Sequence, residues 1–490
     1  MCPFMKQLKK RLCGILSIVM CITAMTGCAA NPDRGSVTSK NNGVFEQNMT
    51  VAATAPLDEQ LQYTDTFTSH DGTAEYAINF DQKMTSDPLP IVEVVPRFFT
   101  GEEVKQIAQV LFGDVDFYER EPEEDPQFSK EQLQKEINWM SSLANTEAMQ
   151  ELYGNDEYDY AEEIDVLKLF MQQYTVQMEN APDENPHKPC DWTFKSDAIY
   201  NTPSYGNSVI YATVDLGNVN YKIYVNRRDK NDYKLNSFSV QLGDGLGYDG
   251  CEMDYMRANL CRTSEPTEEQ ISALKEKAQS LLNQMGMGQW EVSSASVLKE
   301  MYGDTPEYQV LIGATPVFNN VHSIFGQPMM GLTSTDSNAS NYHMTSAVFQ
   351  FSANGDLIYF EMTSPVEVQT VVNEGTAILS TEELMGKVKD HLSLTGAQEA
   401  YLYGVVESWY QKPISCKIEM NRMEFGLARV KVANKDFTFY YVPAFVVYGS
   451  THFFDAETGE EVVFPYEETA AAERALVWIN AVDGSIIDAT

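Results

Sequence analysis

Residues able to do chemistry are plentiful in this chain but rarely converge. The densest set is Asp244, Asp249, Glu252 and Asp254, four carboxylates crowded around a glycine-rich stretch. Calcium takes six to eight oxygen ligands, which acidic loops can supply. The spacing does not reproduce an EF-hand loop, so these four are candidates for a calcium site without a motif, and a solvated acidic face is the simpler reading. A second cluster, Asp156, Glu157, Asp159, Glu162, Glu163 and Asp165, reads the same way. The intervening Gly245-Leu-Gly247-Tyr-Asp-Gly250 spells G-x-G-x-x-G. A dinucleotide site would require a parallel strand before it and a helix N-terminus after it. Here an antiparallel meander precedes it, and Asp244 and Asp249 would repel phosphate.

The histidines His70, His187, His322, His343, His391 and His452 form neither H-x-H nor H-x-x-x-H, so no zinc-protease motif is present. His187-Lys-Pro-Cys190 has no second metal-binding pair nearby. Nucleophile motifs are equally thin. There is no G-x-S-x-G elbow and no P-loop. Ser272-Ala-Leu-Lys275 and Ser296-Val-Leu-Lys299 match S-x-x-K without K-T-G or S-D-N partners. No catalytic set, metal or cofactor is therefore expected. A surface hydrolase or glycan-binding protein using dispersed carboxylates and aromatics stays as the alternative, because paired carboxylates are often distant in sequence. A solute-binding receptor would call for a repeated βαβ pattern, which the chain lacks.

The chain has 26 Tyr, 24 Phe and 5 Trp, enough for an aromatic platform. Trp290, Trp409 and Trp478 nevertheless fall inside alternating or amphipathic patterns, which predicts core packing for all three.

The elements that must position these residues are α+β in kind. Alternating segments at Tyr63–Phe67 and Ala74–Phe80 flank His70-Asp71-Gly72, a hairpin signal. Thr100-Gly-Glu-Glu103 fits a capping box with Val104, Ile107, Val110 and Leu111 behind it. Helical stretches near 129–153 and 161–178 follow, then a meander at Ser208–Asp215, Tyr221–Asn226 and Ser237–Leu242. Pro266 and Thr267 open a helix with an Ile271, Leu274, Ala278, Leu281, Leu282 stripe that stops at Gly286. Strands are expected at Trp290–Val297, Tyr308–Ile312, Ala347–Phe351 and Leu357–Met362, with Asn354-Gly355 as a turn. A third helix starts at Ser380-Thr-Glu-Glu383. Strands close the chain at Ala428–Val432, Thr438–Val447, Thr451–Asp455, Val462–Phe464 and Ala475–Ala489. Helices laid on antiparallel sheets are the predicted architecture. The predicted division is 1–27 signal peptide, 28–60 flexible tether, 61–262 first α+β domain, 263–375 middle module and 376–490 C-terminal module. A tether of that length reaches a few tens of Å, at about 5–6 Å × √n.

Lys6, Lys9, Lys10 and Arg11 precede an uncharged run from Leu12 to Ala24. As a helix that run spans roughly 20 Å, short of the roughly 30 Å hydrocarbon core, and it has the form of a signal peptide. It ends at Met25-Thr26-Gly27-Cys28, which resembles the lipobox of bacterial lipoproteins apart from Met25, where Leu is usual. The resemblance implies a thioether-linked diacylglycerol on Cys28, which becomes the mature N-terminus. The body is then held at the extracytoplasmic face of the cell membrane, and two acyl chains suffice for stable anchoring.

Charge agrees with that placement. The full chain carries a formal net charge of −37, and the four basic groups before Cys28 are accompanied by no acidic ones. Such a surface repels nucleic acid and anionic headgroups. Beyond Cys28 the cysteines are Cys190, Cys251, Cys261 and Cys416, with no C-x-x-C pair. A Cys251–Cys261 disulfide and isolated buried thiols both fit an extracytoplasmic compartment.

Tyr441-Val-Pro-Ala-Phe445 followed by Asn480-Ala-Val-Asp-Gly-Ser-Ile-Ile487 resembles the ending of PepSY and YycI/YycH-type extracytoplasmic modules. The likeness covers mainly 376–490, with a faint echo near 263–362, and the whole chain looks like uncharacterised lipoproteins of Gram-positive bacteria. It implies two or three such modules and a non-catalytic role in binding a membrane or cell-surface protein or peptide. No catalytic residues come with it.

Overall fold

The structure is a computed structural model, described for residues 44–53, 57–119, 129–153, 160–183, 188–196, 207–216, 220–228, 236–242, 260–261, 264–302, 305–324, 345–396, 403–431, 438–462 and 474–487. It is α+β, with helices laid on two sheets in which antiparallel pairing dominates.

The smaller sheet draws on both ends of the chain. Strands β1 (Leu57–Thr68) and β2 (Ala74–Ser86) form the hairpin expected at His70-Asp71-Gly72. Asp71 Oδ1 accepts from Ser69 Oγ at 2.6 Å and from the Thr73 backbone N–H at 3.0 Å, and Gly72 takes a φ of 74°. β2 then pairs in parallel with β15 (Ile414–Lys431), which pairs antiparallel with β16 (Phe439–Asp455). The second edge of β16 is shared between β3 (Ile91–Pro96) and β17 (Arg474–Asn480). β17 carries β18 (Ile486–Ile487), and β3 carries β14 (Val366–Asn373).

The larger sheet is continuous in sequence. It contains β4 (Tyr118–Glu119), β5 (Lys195–Ser196), β6 (Asn207–Asp215), β7 (Asn220–Arg228), β8 (Ser237–Leu242), β9 (Trp290–Tyr302), β10 (Thr305–Phe318), β11 (Val321–His322), β12 (Ser346–Ser352) and β13 (Leu357–Thr363).

Three capping boxes set the main helices. Thr100 caps α2 (Gly101–Phe112), Thr267 caps α6 (Glu268–Met285) and Ser380 caps α7 (Thr381–Thr395). α2 and α6 bury Ile107, Leu274, Ala278 and Leu282 against Ile223, Val240, Phe349 and Phe360 of the larger sheet. α7 buries Leu384, Met385, Val388 and Leu392 against Tyr76, Ile418, Phe445 and Ile479 of the smaller one. On the far side of that sheet, α1 (Val44–Asn48) packs Phe45 against Val442, Ala444 and Trp478. β16 is therefore apolar on both faces, which is why its run contains so little alternation. Between β4 and β5 lie α3 (Lys130–Leu143), α4 (Thr146–Tyr153) and α5 (Ala161–Met178), whose cores are Leu133, Met140 and Tyr174, and Met149, Tyr160 and Ile164.

Several expectations are corrected. The flexible tether does not run to residue 60: Phe45 is 1% exposed, Asn48 Nδ2 donates to the Val482 carbonyl at 3.2 Å, and β1 begins at Leu57. The burial of Phe45 holds this segment in place. Sheet membership also crosses the linear division at 262 and 375, since β1, β2 and β3 belong with β14–β18 and β9–β13 belong with β4–β8. Thr438–Val447 and Thr451–Asp455 are one strand, and β15 begins fourteen residues before the expected Ala428. The final segment is broken by a turn at 481–485. Asn480 shapes that turn, accepting from the Val482 backbone N–H through Oδ1 at 3.0 Å.

Candidate functional site

The larger sheet has one face under α2 and α6 and another that is polar and rich in tyrosine. Strict alternation generates both. On β13, Ile358, Phe360 and Met362 point into the core, so Tyr359, Glu361 and Thr363 point away from it. Cross-strand register then lines up two rows. One runs Leu311, Gln350, Tyr359, Gln241, Lys222, Thr213 from β10 to β6. The other runs Gly313, Val348, Glu361, Ser239, Tyr224, Tyr211 beside it.

At the centre, the Tyr359 hydroxyl donates to Glu361 Oε2 at 2.8 Å. Burial pushes the Glu361 carboxyl above the ordinary carboxylate range, against the opposing effect of the tyrosine hydrogen bond. The Tyr359 phenol is also raised, first by burial and then by the neighbouring Glu361 charge. Two strands away the Tyr211 and Tyr224 rings lie 4.9 Å apart. Toward β10, Gln350 Nε2 donates to Gln309 Oε1, and both glutamines are buried. Ser346 and Thr363 share a 3.0 Å hydroxyl contact. The face thus combines aromatic rings with a largely buried, tyrosine-bonded carboxyl, while its two glutamine amides are buried against one another. Tyr211, Tyr224 and Ser239, half-buried at the β6–β8 end, are groups of this face within reach of a peptide's amides.

Glu307 on β10 has Glu300 of β9 as its direct register partner, so two acidic positions stand opposite one another at one end of this face. Glu307 lies six residues from Gly313 along β10, and Gly313 is two strands from Glu361. At about 3.3 Å per residue and about 4.8 Å per strand, the backbone at Glu361 is roughly 20 Å from that at Glu307.

Most of the residues singled out from sequence fall elsewhere. Cys28, Asp244, Asp249, Glu252, Asp254, Cys251, the 245–250 glycine stretch, His187 and His343 lie outside the described residues. Cys261 is buried in the core of the larger sheet. Burial raises the Cys190 thiol, and burial followed by the Asp71 charge pushes Cys416 up to about 12, so both are disfavoured as thiolates. Ser272 and Lys275 are exposed on α6. The described histidines sit on separate elements, and His452 Nδ1 lies 3.3 Å from Glu461. Of the second acidic cluster, Glu163 and Asp165 are on α5, the latter 3.2 Å from Lys168. Trp290 and Trp478 are buried as expected, but Trp409 is 48% exposed. On α8 (Tyr403–Tyr410), Val406 and Tyr410, four apart, take the inward face and leave Trp409 outside.

Tyr359 and Glu361 lie within the strand expected at Leu357–Met362 but match no motif, so they were not among the candidate residues. The signal was there in the other phase of the same alternation.

No family model and no curated protein matches the chain. Among solved structures, it is similar to an uncharacterised protein from Eubacterium rectale, with 11% identity, a TM-score of 0.33, and coverage of 86% of this chain and 98% of that one. It is also similar to the Bacillus megaterium YpeB C-terminal domain, with 11% identity, a TM-score of 0.24, and coverage of 58% and 88% respectively.

Proposed function

We propose that this is a lipid-anchored extracytoplasmic protein of the PepSY-like kind that binds a protein or peptide segment and performs no chemistry of its own. The observation that carries the reading is the polar, tyrosine-lined outer face of the larger sheet, centred on Glu361 and Tyr359. Its half-buried Tyr211, Tyr224 and Ser239 are groups able to contact a peptide's amides. The lipobox-like Cys28 supports a position outside the cytosol, close to membrane-bound partners.

The test is a photo-crosslinking residue placed at Tyr224 in the anchored protein, with a second at exposed Ser272 as control. A discrete adduct from Tyr224 that disappears on adding Glu361→Ala supports the reading. Equal labelling at Tyr224 and Ser272, or none at Tyr224, overturns it. Separately, Cys28→Ala should move the protein from the membrane fraction to the medium.

A further inference from the structure

Helix α5 carries two apolar stripes, and among the described residues only one has a partner. Leu167, Met171, Tyr174 and Met178 pack with Leu133 and Met140 of α3. Two positions on from the first three of these and from Ile164, about 200° around a helix at 3.6 residues per turn, lie Val166, Leu169, Gln173 and Val176. Their spacing of three, four and three is that of a and d positions in a heptad. Val166 is 41% exposed, Leu169 51% and Val176 62%. The helix repeats, on its outer side, the pattern that holds α3 on its inner side.

The flanks say what could cover it. The e and g positions beside this stripe are Glu163, Asp165, Phe170, Gln172, Gln177 and Glu179, three carboxylates and no cation. Both carboxylate oxygens of Glu163 are buried with no hydrogen-bond partner among the described residues. A second copy of the chain is a poor occupant. Antiparallel pairing that sets Val166 against Val176 brings the g positions Asp165 and Glu179 together, between two bodies of like charge. An acidic body likewise disfavours an anionic lipid surface.

We infer that the outer stripe of α5 is a docking surface for one amphipathic helix of a partner protein, with apolar a and d residues flanked by lysine or arginine. The partner's cations meet Glu179 and Asp165, the latter in competition with its own Lys168, while its apolar seam covers Val166, Leu169 and Val176, an arrangement in which charge selects the partner and burial holds it. This surface is separate from the tyrosine-lined face, so either can fail without the other.

The experiment uses the full chain and two synthetic three-heptad peptides, both with Leu at a and d, one with Lys and one with Glu at e and g. Fluorescence anisotropy should show the Lys peptide binding the parent protein, with the Leu169→Ser/Val176→Ser double variant at least about tenfold weaker and the Glu peptide not bound. All substituted side chains are exposed, so the variant keeps its fold, and circular dichroism checks this. Val166→Ser provides an independent second variant. Equal affinity of the Lys peptide for parent and both variants, equal binding of the two peptides, or concentration-dependent self-association lost in the double variant would each overturn the inference.

Discussion

The rings of Phe318 and Tyr441 lie 4.3 Å apart, one at the end of β10 in the larger sheet and the other on β16 in the smaller. Around them Leu427, Phe439, Val92 and Val94 complete a small core shared by both halves. The Ile324 backbone N–H donates to the Leu427 carbonyl at 2.8 Å, extending the contact into a bridge. The two sheets are thus joined by packed side chains as well as by the covalent chain.

Phe318→Ala is expected to destabilise the protein by about 3 kcal/mol or more, through lost burial and the cavity left behind. Because the loss falls on the junction, calorimetry should show one thermal transition resolving into two. A single transition shifted as a unit would mean that the halves are coupled elsewhere.

Glu361→Gln tests the raised carboxyl. The folded-state pKa lies above the ordinary value near 4.5, so ionisation costs more in the folded protein than in the unfolded chain. Parent and variant should have matching stability below that ordinary value. As pH rises through the raised pKa the parent loses stability that the variant keeps, and urea unfolding at a series of pH values will show the gap opening upward.

Asp455 predicts the opposite sign. Its carboxylate accepts from the Glu457 and Thr458 backbone N–H groups, each at 2.9 Å, and from the Tyr410 hydroxyl at 2.9 Å. These bonds, led by that from Thr458, lower its pKa to about 2. Asp455→Asn should therefore melt below the parent at neutral pH, with the difference closing as pH falls from about 4 through about 2.

Thr267→Ala removes the hydroxyl that accepts from the Gln270 backbone N–H at 3.3 Å and breaks the reciprocal bond pattern of that cap. The expected cost is about 1 kcal/mol by chemical denaturation. Thr267→Ser should restore most of it.

Gly449 sits where β16 crosses β15, and a Cβ there would lie 2.3 Å from the Glu419 carbonyl oxygen. The obstruction is backbone and cannot rotate aside. Gly449→Ala should give a larger loss of stability than the cap variant, or insoluble protein on expression.

Local chemistry was legible in the sequence to the extent that it is local. The caps at Thr100, Thr267 and Ser380, the turn at Asp71-Gly72, the stop at Gly286 and the meander of β6 to β8 each rest on residues a few positions apart, and each was expected. What failed depends on distant partners. β15 was expected only from Ala428 because the stretch before it, Ile414 to Leu427, mixes Lys, Glu, Asn and Arg into a strand whose inward residues find Tyr76 and Ile78 far upstream. Trp409 has a helical setting but a helix too short to bury three neighbouring rows. The Glu361 face could be built only once β8, β12 and β13 were known to be adjacent.

Gln82 and Met423 hydrogen-bond to each other across 341 positions of sequence, beside the one parallel strand pair in the described sheets. A ribosome adding about 5–20 residues per second needs roughly 20 to 70 seconds to bring the second partner out after the first. For that interval the opening hairpin has a bare inner edge and an uncovered apolar side, ready to pair with the wrong strand. Whatever escorts the nascent polypeptide must shield residues 74–86 until the last hundred have arrived, and slowing the final stretch of translation should raise aggregation more than slowing the first.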